Sequence, residues 1–461
     1  MWKPRLDPQK TPKTQKRRGN PLYLALAGAI AADVQNGRLK AGDRLPPHRE
    51  LADALGVTVT TVTRGYDEAE RRGLIRGEVG RGTFVKPPVF APPVAGSAVI
   101  DLGTNALLPH AHANELAAAL SALVARAEPE RVLNYQPHAG RPEHRAIGAE
   151  FLRHLKVPAD ASDTILTSGG QHAMAVSLGT LTTPGDTVLC ESVTYTGMRS
   201  LANHLHVRLQ GVAMDDEGLI ADALEDAALE SGGKVLYCMP TVQNPTGRVM
   251  SKKRRQEIAR VAARLNLLIV EDDAYGFLVE GLPSLAALVP ERTFYIRGFS
   301  KSVVPGLRVA LMRMPASWVE RVTGAVFATT VMVPPIESAA AAEWMQNGTV
   351  DRVAAWKREE IRARQDIARK IFGRIATGAH ESQHLWVLLP ASWPAEDYAR
   401  EARQRGVIVQ PGREFAVARH AAPNAIRVCL GPPADRATLK RALTTLADIL
   451  GDTPQAFGTA V

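Results

Sequence analysis

The stretch FSKSVVPGLR, residues 299–308, decides the architecture of most of this 461-residue chain. It follows TFYI, residues 293–296, an apolar run typical of a buried strand. A lysine just after a strand, flanked by small residues, suits a Schiff base with an aldehyde cofactor, because burial and nearby cations keep its amine nucleophilic. Arg308, seven residues after Lys301, is predicted to reach back to a phosphate. A Ser-Lys pair alone is common, so the prediction depends on the surrounding segments.

Three further segments occur in the order that such a site requires. TSGGQHAM, residues 167–174, follows a strand-like run and opens a helix, whose first backbone N–H groups can bind an anion. QNPTG presents Asn244 at the carboxyl edge of the predicted sheet. LLIVEDDAYGFL places Asp272 at a strand end and Tyr275 three residues later, and a buried carboxylate there can keep a pyridine nitrogen protonated. Each segment alone fits a structural role, whereas their order and spacing together favour a cofactor pocket.

Strand-like apolar runs alternate with Ala-rich helical stretches from Val99 onward. This alternation predicts an α/β domain with a largely parallel sheet. The runs WVLLP, VIVQPG and AIRVCL near the end of the chain predict a smaller α+β subdomain over about residues 360–451. The predicted strands of the main sheet are Thr164–Thr167, Thr187–Cys190, Val235–Met239, Leu267–Glu271 and Thr293–Ile296.

A different pattern precedes this domain. Residues 20–86 are predicted to form three helices followed by a two-stranded hairpin. Gly56 would end the second helix, and Val62, Tyr66 and Ala69 would face the core from the third. A recognition helix needs short hydroxyl side chains at its exposed start, where it approaches bases and phosphates, although a generic three-helix domain shares this pattern. The predicted DNA-facing residues are Thr60, Thr61, Thr63 and Arg64 on that helix and Arg81 at the hairpin tip.

A proline-rich stretch separates the two patterns. KPPVFAPPVAGSA, residues 86–98, holds four prolines and no periodicity, which is typical of a semi-extended linker. The sequence therefore predicts four parts in chain order: a basic tail (1–19), a DNA-binding head (20–86), a linker (87–98) and a larger body (99–451).

The net charge of +9 lies almost entirely in the first 86 residues, which carry 17 Lys and Arg against 9 Asp and Glu. A small basic head on a near-neutral body favours a polyanionic partner. A solvated basic tail gives the same balance, because residues 1–19 supply seven of those cations. Charge alone therefore leaves both interpretations open.

The start of the chain imitates a secretory signal, with a basic cluster, a short apolar run and an Ala-x-Ala site. The periodicity argues against that interpretation, because Leu22, Leu26, Ile30 and Val34 recur every four residues, as on one side of an amphipathic helix that continues past the cleavage point. No apolar run reaches the roughly 18 residues needed to span a bilayer.

Composition favours a globular protein of a reducing compartment. Apolar residues make up 45% of the chain and charged residues 22%, the values of soluble globular domains. The three cysteines (Cys190, Cys238 and Cys429) lie far apart and match no metal-binding spacing. We therefore expect no structural metal and a cytoplasmic location.

The head closely resembles the GntR family of winged helix-turn-helix regulators over about 65 residues. The resemblance includes GRLKAGDRLP, an arginine in the second helix and the GRGTFV wing. It implies DNA contacts by Arg49, Thr61, Arg64 and Arg81. Two departures obscure the specificity, because Pro47 stands where the family usually has a Ser cap and Val59 where many members carry Arg.

From about Val99 to Leu450 the chain resembles a fold-type I, class I/II aminotransferase, and head and body together resemble the MocR subfamily of GntR regulators. The resemblance implies pyridoxal 5′-phosphate (PLP) as cofactor, and a homodimer, because one matching tyrosine of the family reaches the partner subunit's phosphate. One departure is Gly298, where the family usually has a Ser or Thr that binds the phosphate. The implied roles are a covalent bond to PLP for Lys301, pairing with the pyridine nitrogen for Asp272, hydrogen bonds to the ring 3′ oxygen for Asn244 and Tyr275, stacking for Tyr195, phosphate binding for Gly170, Gln171 and Arg308, the partner's phosphate for Tyr135, and a substrate carboxylate for Arg427.

Three functions fit these residues. The leading hypothesis is a transcription regulator whose body senses an amino compound through PLP. The second is a working aminotransferase with a fused DNA-binding head. The third is a regulator that senses the cofactor itself, and the presence of Arg427 favours a carboxylate ligand over cofactor alone.

Overall fold

The computed structural model describes residues 2, 4, 21–36, 38–39, 42–72, 74–78, 82–85, 99–106, 108, 113–126, 134–418 and 422–451. They fall into two compact units, Met1–Ala95 and Gly96–Val461. The predicted linker and Arg81 lie outside the described residues, as does the predicted basic tail apart from Trp2 and Pro4.

The first unit is a helix-turn-helix domain with a small antiparallel sheet, as predicted. Its elements are α1 (Leu22–Gln35), β1 (Arg44–Leu45), α2 (His48–Leu55), α3 (Val59–Arg71), β2 (Ile75–Glu78) and β3 (Gly82–Val85). The sheet has the order β1-β3-β2. Strand β1 was not predicted, because two residues are too few to produce an alternating pattern.

The core of this unit forms where α1 packs against α3. Leu26 and Ile30 from α1 are buried together with Val62, Tyr66 and Ala69 from α3, the face that periodicity predicted. The Tyr66 hydroxyl satisfies its polar end by donating to the backbone carbonyl of Pro46 at 2.8 Å. This hydrogen bond ties the start of α2 to the third helix.

Two glycines fix the approach of these helices. Gly56 ends α2 in the left-handed conformation, with a φ of 66°, and so permits the tight turn into α3. Gly65 lies where α3 meets α1: a Cβ placed there would lie 2.7 Å from Leu26 Cδ2. A side chain at residue 65 would therefore require Leu26 to move if the two helices kept this distance.

The second unit is built on a seven-stranded sheet. Its order is β5-β13-β12-β11-β10-β6-β7, and every strand runs parallel to the others except β13. The predicted largely parallel sheet is confirmed. The strands of the unit are β4 (Ile100–Asp101), β5 (Thr164–Thr167), β6 (Thr187–Glu191), β7 (Arg208–Val212), β8 (Met214–Asp215), β9 (Gly218–Leu219), β10 (Val235–Cys238), β11 (Leu268–Asp272), β12 (Thr293–Gly298), β13 (Ala310–Arg313), β14 (Ala376–Thr377), β15 (His384–Leu388), β16 (Val407–Ile408), β17 (Gln410–Pro411) and β18 (Ala425–Cys429).

Helices cover both faces of this sheet, because strands buried on both sides need apolar partners on each. Separate buried clusters on either side of the sheet show the two covered faces. The helices of the unit are α4 (Ala113–Arg126), α5 (Pro142–His154), α6 (Gly170–Leu181), α7 (Thr196–His204), α8 (Ala221–Ser231), α9 (Lys252–Arg264), α10 (Leu285–Leu288), α11 (Phe299–Ser302), α12 (Val319–Thr330), α13 (Pro335–Gln346), α14 (Thr349–Phe372), α15 (Ala395–Gln404) and α16 (Arg436–Gly451), with single 3-10 turns at Gly276–Leu278, Pro305–Leu307, Ala316–Trp318, Gly373–Ile375 and Gly412–Glu414.

The carboxyl-terminal part forms the predicted smaller α+β layer. Its antiparallel sheet has the order β14-β15-β18-β17 and packs against α15 and α16. Strand β4 joins this layer from the other end of the unit, pairing in parallel with β16 so that Ile100 lies opposite Val407. Leu102 is buried in the same core. The segment after the predicted linker therefore belongs to the small layer, which local patterning did not reveal.

Substituting Gly65 tests the close packing of the head. Gly65→Ala forces α1 and α3 apart, and overpacking of this kind costs about 1–3 kcal/mol. We expect weaker hydrogen-exchange protection of the α3 amides in the full-length chain.

Gly28→Ala is the matched control, because nothing lies within 4 Å of its Cβ position and alanine stabilises a helix interior by roughly 0.5–1 kcal/mol relative to glycine. Equal α3 protection in the two variants would contradict this description of the core.

Candidate functional site

Five parallel strands bring the predicted residues to one edge of the main sheet. In open α/β sheets, ligands bind beyond the carboxyl ends of the strands. The residues that end or follow strands at this edge are Gly170 after β5, Tyr195 after β6, Asn244 after β10, Asp272 at the end of β11 and Lys301 after β12.

Lys301 lies in the short helix α11, directly after β12. Its Nζ donates to the backbone carbonyl of Asn105 at 2.5 Å. Burial, reinforced by the cations Arg427 and Arg308, lowers the pKa of Lys301 to about 8. A substantial fraction of the amine is therefore neutral near physiological pH, the form that attacks a carbonyl carbon.

A second buried lysine hydrogen-bonds to the backbone of α11 and of the residue after it. Lys357 of α14 is 1% exposed, and its Nζ donates to the backbone carbonyls of Lys301 at 3.0 Å and Val303 at 2.6 Å. Burial lowers the pKa of Lys357 to about 7. Its amine is held by two backbone carbonyls, whereas the Lys301 amine lies at the sheet edge among the other site residues.

Asp272 is the buried carboxylate of the site. It is 5% exposed, and its Oδ2 accepts the Tyr237 hydroxyl at 3.0 Å while its Oδ1 accepts the Ala274 N–H at 3.1 Å. Burial raises the pKa of Asp272 to about 6, so the group is mainly ionised at pH 7. A buried anion with neutral hydrogen-bond donors is suited to pair with a cationic nitrogen.

Arg427 joins the small layer to this edge from the middle of β18. Its Nη1 donates to the Asn244 side-chain oxygen at 2.9 Å and its Nη2 to the Gly103 carbonyl at 2.5 Å. The guanidinium carbon lies 4.6 Å from the ring centroid of Phe415. Its buried Nε has no hydrogen-bond partner among the described residues. Because an unpaired buried donor is costly, a ligand carboxylate would suit this group.

The start of α6 is the predicted anion site. Gly169, with a φ of 84°, begins the helix, and the first amides of any helix lack partners within it. The Arg308 guanidinium packs on Gly169, where an added Cβ would lie 2.5 Å from Nη2. Its Nη1 donates to the Ser300 hydroxyl at 2.7 Å. Helix amides beside an arginine could hold a phosphate-sized anion, as the sequence predicted.

Gly298 faces the same anion site. A Cβ placed on it would lie 3.8 Å from the Gly170 nitrogen, so a side-chain hydroxyl there would reach the anion. The chain lacks that donor. Ser300, two residues later, places a hydroxyl against Arg308 instead.

Two tyrosines are the remaining predicted cofactor-binding residues at this sheet edge. The Tyr195 ring packs over Gly197, where a Cβ would lie 2.3 Å from the ring, and Gln171 donates from Nε2 to the Gly197 carbonyl at 3.2 Å. Tyr275 is 2% exposed, and its hydroxyl oxygen accepts the Asn105 side-chain N–H at 2.7 Å. Burial raises the pKa of both phenols, so each keeps its proton.

Sequence reasoning missed several residues of this site. Tyr237 lies in the predicted strand VLYCMP. The one sequence feature that could have identified it is its polar hydroxyl within an otherwise apolar run. Asn105, Gln383 and His384 come from segments far apart in sequence, and no local motif relates them. All of them make side-chain contacts with predicted site residues or with one another.

Tyr135 differs from the other predicted residues. It lies in the segment before α5 and is 85% exposed. Among the described residues it forms no hydrogen bond with the rest of the site. The single chain therefore does not bring Tyr135 into the pocket.

The predicted DNA-contacting residues of the head differ in their exposure. Arg49, Thr60 and Arg64 are exposed on α2 and α3. The Arg64 guanidinium lies 4.3 Å from the ring centroid of Tyr23, so part of this side chain packs on α1. Its charge remains at the surface.

Two of the predicted threonines are only partly exposed, because they also stabilise the head. The Thr61 hydroxyl lies 2.9 Å from that of Thr58, whose oxygen caps α3 by accepting the Thr61 N–H. The Thr63 hydroxyl lies 3.1 Å from Nδ1 of His48 in α2. Helical periodicity does not reveal such capping and interhelical partners. Pro47 begins α2 without a side-chain cap.

Two family models cover the chain. Residues 97–446 match the model described as aminotransferase class I and II, and residues 22–85 match that of bacterial regulatory proteins of the gntR family. None of the described helices combines the length and apolar character that a bilayer span requires.

Curated relatives share both parts. YdeF of Bacillus subtilis (strain 168), named as an HTH-type transcriptional regulator, is 29% identical over 459 residues, covering 98% of this chain and 97% of that protein. The HTH-type transcriptional regulator TauR of Rhodobacter capsulatus is 27% identical over 438 residues, covering 86% of this chain and 89% of TauR.

Solved structures match the second unit. An archaeal alanine:glyoxylate aminotransferase is 26% identical with a TM-score of 0.71, covering 77% of this chain and 91% of that one. LysN, the alpha-aminoadipate aminotransferase of Thermus thermophilus, is 25% identical with a TM-score of 0.71, covering 77% and 92%. The chain thus belongs to the class I and II aminotransferase family over residues 97–446, with a GntR-family DNA-binding domain before it, which is the architecture of MocR-type regulators.

Proposed function

We propose that this chain is a DNA-binding transcription regulator whose body binds PLP and, through it, senses an amino compound that carries a carboxylate. The observation that carries the proposal is the meeting of Lys301, Asp272, Arg427 and the α6 anion site at one sheet edge, in a chain that also carries a GntR-family domain.

The described residues fit PLP by their chemistry. The cofactor has an aldehyde, a phosphate, a phenolic oxygen and a basic ring nitrogen, and the site offers a partly neutral lysine, an anion site, polar groups and a buried carboxylate. Lys301 would hold the aldehyde, and Asp272 the ring nitrogen. When bound, PLP supplies an electrophilic carbon for amines and an electron-withdrawing ring. Gly170, Gln171 and Arg308 would hold the phosphate, Asn244 and Tyr275 the phenolic oxygen, and Tyr195 the ring face.

Arg427 limits the class of effector. Its buried guanidinium, with an unpartnered Nε, matches a carboxylate better than a neutral group. Asn244 and Phe415 hold the guanidinium in one orientation, so little side-chain freedom is lost when an anion binds. We therefore expect amino acids to bind more tightly than simple amines.

Regulation requires coupling between this site and the head. An effector changes DNA affinity only if it binds one arrangement of the protein more tightly than another. Two relatives of the same full-length architecture are named as transcriptional regulators, which supports regulation as the role of the fused head. Exposed Arg49, Thr60 and Arg64 would contact DNA together with Arg81, and Thr61 and Thr63 would orient α3.

Transamination is a second candidate function. The lysine, the carboxylate and the carboxylate-binding arginine are all present, and a complete set can run both half-reactions. A 2-oxo acid that converts the amino form of the bound cofactor back to its aldehyde form would support turnover, whereas a spectrum that only amino compounds change would support sensing.

We also propose a homodimer in the cytoplasm. Tyr135 is 85% exposed in the single chain although it matches a tyrosine that reaches a partner's phosphate in the family. The three cysteines are buried and unpaired, as expected in a reducing compartment.

Lys301→Ala should abolish the visible absorbance that lysine-bound PLP gives, because the other buried amine nearby, that of Lys357, is held by the backbone carbonyls of residues 301 and 303. Salt-sensitive DNA binding should remain, since the head is a separate compact unit. Absorbance titration with PLP and duplex binding measure the two effects. The exposed variant Lys253→Ala serves as control. In the wild type, reduction of the lysine–PLP bond followed by peptide mapping should find the pyridoxyl group on Lys301. A pyridoxyl group on Lys357 would overturn the assignment.

Arg64→Ala should weaken duplex binding about tenfold and lower the salt dependence by about one ion, as expected for a lost phosphate contact. Fluorescence anisotropy over a salt series, on duplexes selected with the wild-type chain, measures both quantities. Arg260→Ala removes an exposed arginine of the other unit and is the charge-matched control. Unchanged affinity in Arg64→Ala would mean that α3 does not face DNA as proposed.

A further inference from the structure

Asn105 contacts two residues of the proposed cofactor site at once. Its backbone carbonyl accepts the Lys301 ammonium at 2.5 Å, and its side-chain N–H donates to the Tyr275 hydroxyl at 2.7 Å. It lies four residues after the end of β4, in the segment that joins the small layer to the sheet edge. A residue that contacts both groups can affect the hydrogen bonding of Tyr275 and the protonation of Lys301.

The orientation of the Asn105 amide follows from His384. Nε2 of this buried histidine lies 3.1 Å from the Gln243 carbonyl oxygen, which only accepts, so Nε2 carries the proton. Burial lowers the pKa of His384 to about 3, and the ring is therefore neutral. Nδ1 must then be an acceptor, and it faces Nδ2 of Asn105 at 3.5 Å. The amide nitrogen thus points toward His384 and Tyr275.

The other end of the amide agrees with this orientation. Gln383 Nε2 donates to the Asn105 side-chain oxygen at 2.5 Å. The hydrogen bonds therefore run in one direction, from Gln383 through Asn105 to the oxygen of Tyr275.

This direction fixes what Tyr275 can do. Its oxygen already accepts from Asn105, so its own proton must go to another acceptor. Among the described residues the phenol proton has no acceptor, and the group is 2% exposed. Buried hydroxyl groups are normally satisfied, so the phenol is suited to donate to a bound ligand.

We infer that Asn105 is a positioning residue that, oriented by His384 and Gln383, makes Tyr275 a hydrogen-bond donor to the phenolic oxygen of bound PLP. The inference rests on the proposed function in that PLP is the ligand. A donor to that oxygen stabilises its negative charge and so weakens its hold on a proton at the Lys301 nitrogen. Asn105 thereby lowers the pH at which the cofactor–lysine nitrogen loses its proton.

Other charged and titratable groups lie near Lys301 or Tyr275, and none of them is altered in the test. They are Asp272 from β11, Arg427 and Cys429 from β18, Arg308 after α11, Tyr195 before α7 and His384 from β15. None of them hydrogen-bonds to Asn105 except His384, whose ring is neutral over the working pH range.

Asn105→Asp reverses the hydrogen bond, because a carboxylate accepts the phenol proton that the amide left free. We expect the pH midpoint of the visible absorbance change in PLP-loaded full-length protein to rise by about one pH unit, since the donor is withdrawn and a negative charge is added nearby. Asn105→Ala, which adds no buried charge, should raise the midpoint by about half as much. Thr104→Ala, at the exposed neighbouring residue, should leave it unchanged.

Tyr275→Phe supplies a readout that a merely structural role would not move. In that background the shift caused by Asn105→Ala should vanish, because the phenol that transmits it is absent. A pH midpoint equal to that of the wild type in both Asn105 variants would overturn this inference but not the proposed function. An Asn105→Ala shift that persists undiminished in the Tyr275→Phe background would do the same. A wild-type chain that shows no visible band with PLP would overturn the proposed function, and this inference with it.

Discussion

Burial of a lysine and a carboxylate at the carboxyl edge of one parallel sheet is the constraint on which the body of this protein depends. Each buried charge costs free energy unless the fold compensates it. Burial lowers the pKa of Lys301, and its amine donates a hydrogen bond to the Asn105 carbonyl. The Asp272 carboxylate accepts hydrogen bonds from the Tyr237 hydroxyl and the Ala274 N–H. Asp272 ends β11 and Lys301 follows the adjacent strand β12, so one planar ligand with an electrophile and a basic nitrogen would be suited to satisfy both groups.

The small layer contributes a residue to this edge. Its strand β18 delivers Arg427, which reaches Asn244 of the large sheet and Gly103 of the segment after β4. Strand β4 pairs with β16, and the residues that follow it pack in the core of the small layer through Leu102 and contact Lys301 through Asn105. A ligand bound by Arg427 and Lys301 would therefore contact side chains that hydrogen-bond to Gly103 and Asn105, in the stretch after β4.

Much of the fold could be predicted from the sequence, because it follows from local patterning. Apolar runs predicted β5 at its observed bounds and β11 to within one residue, and helical periodicity predicted the core face of α3. The convergence of Lys301, Asp272 and Asn244 followed from the rule that parallel strands end at one edge. Contacts between distant segments could not be predicted in this way. The pairing of β4 with β16, the Asn105 network and the stacking of Arg64 on Tyr23 depend on tertiary packing, which no local motif records.

We propose above all that one chain couples an amino-compound site to DNA binding. The most direct measurement is duplex affinity of the PLP-loaded full-length chain, with and without an amino acid that changes its visible spectrum, together with the affinity for that amino acid with and without duplex. Linkage requires the two factors to be equal, and we expect each to be about fivefold or more. An amino acid that saturates the spectral change while the duplex affinity stays constant would contradict the account.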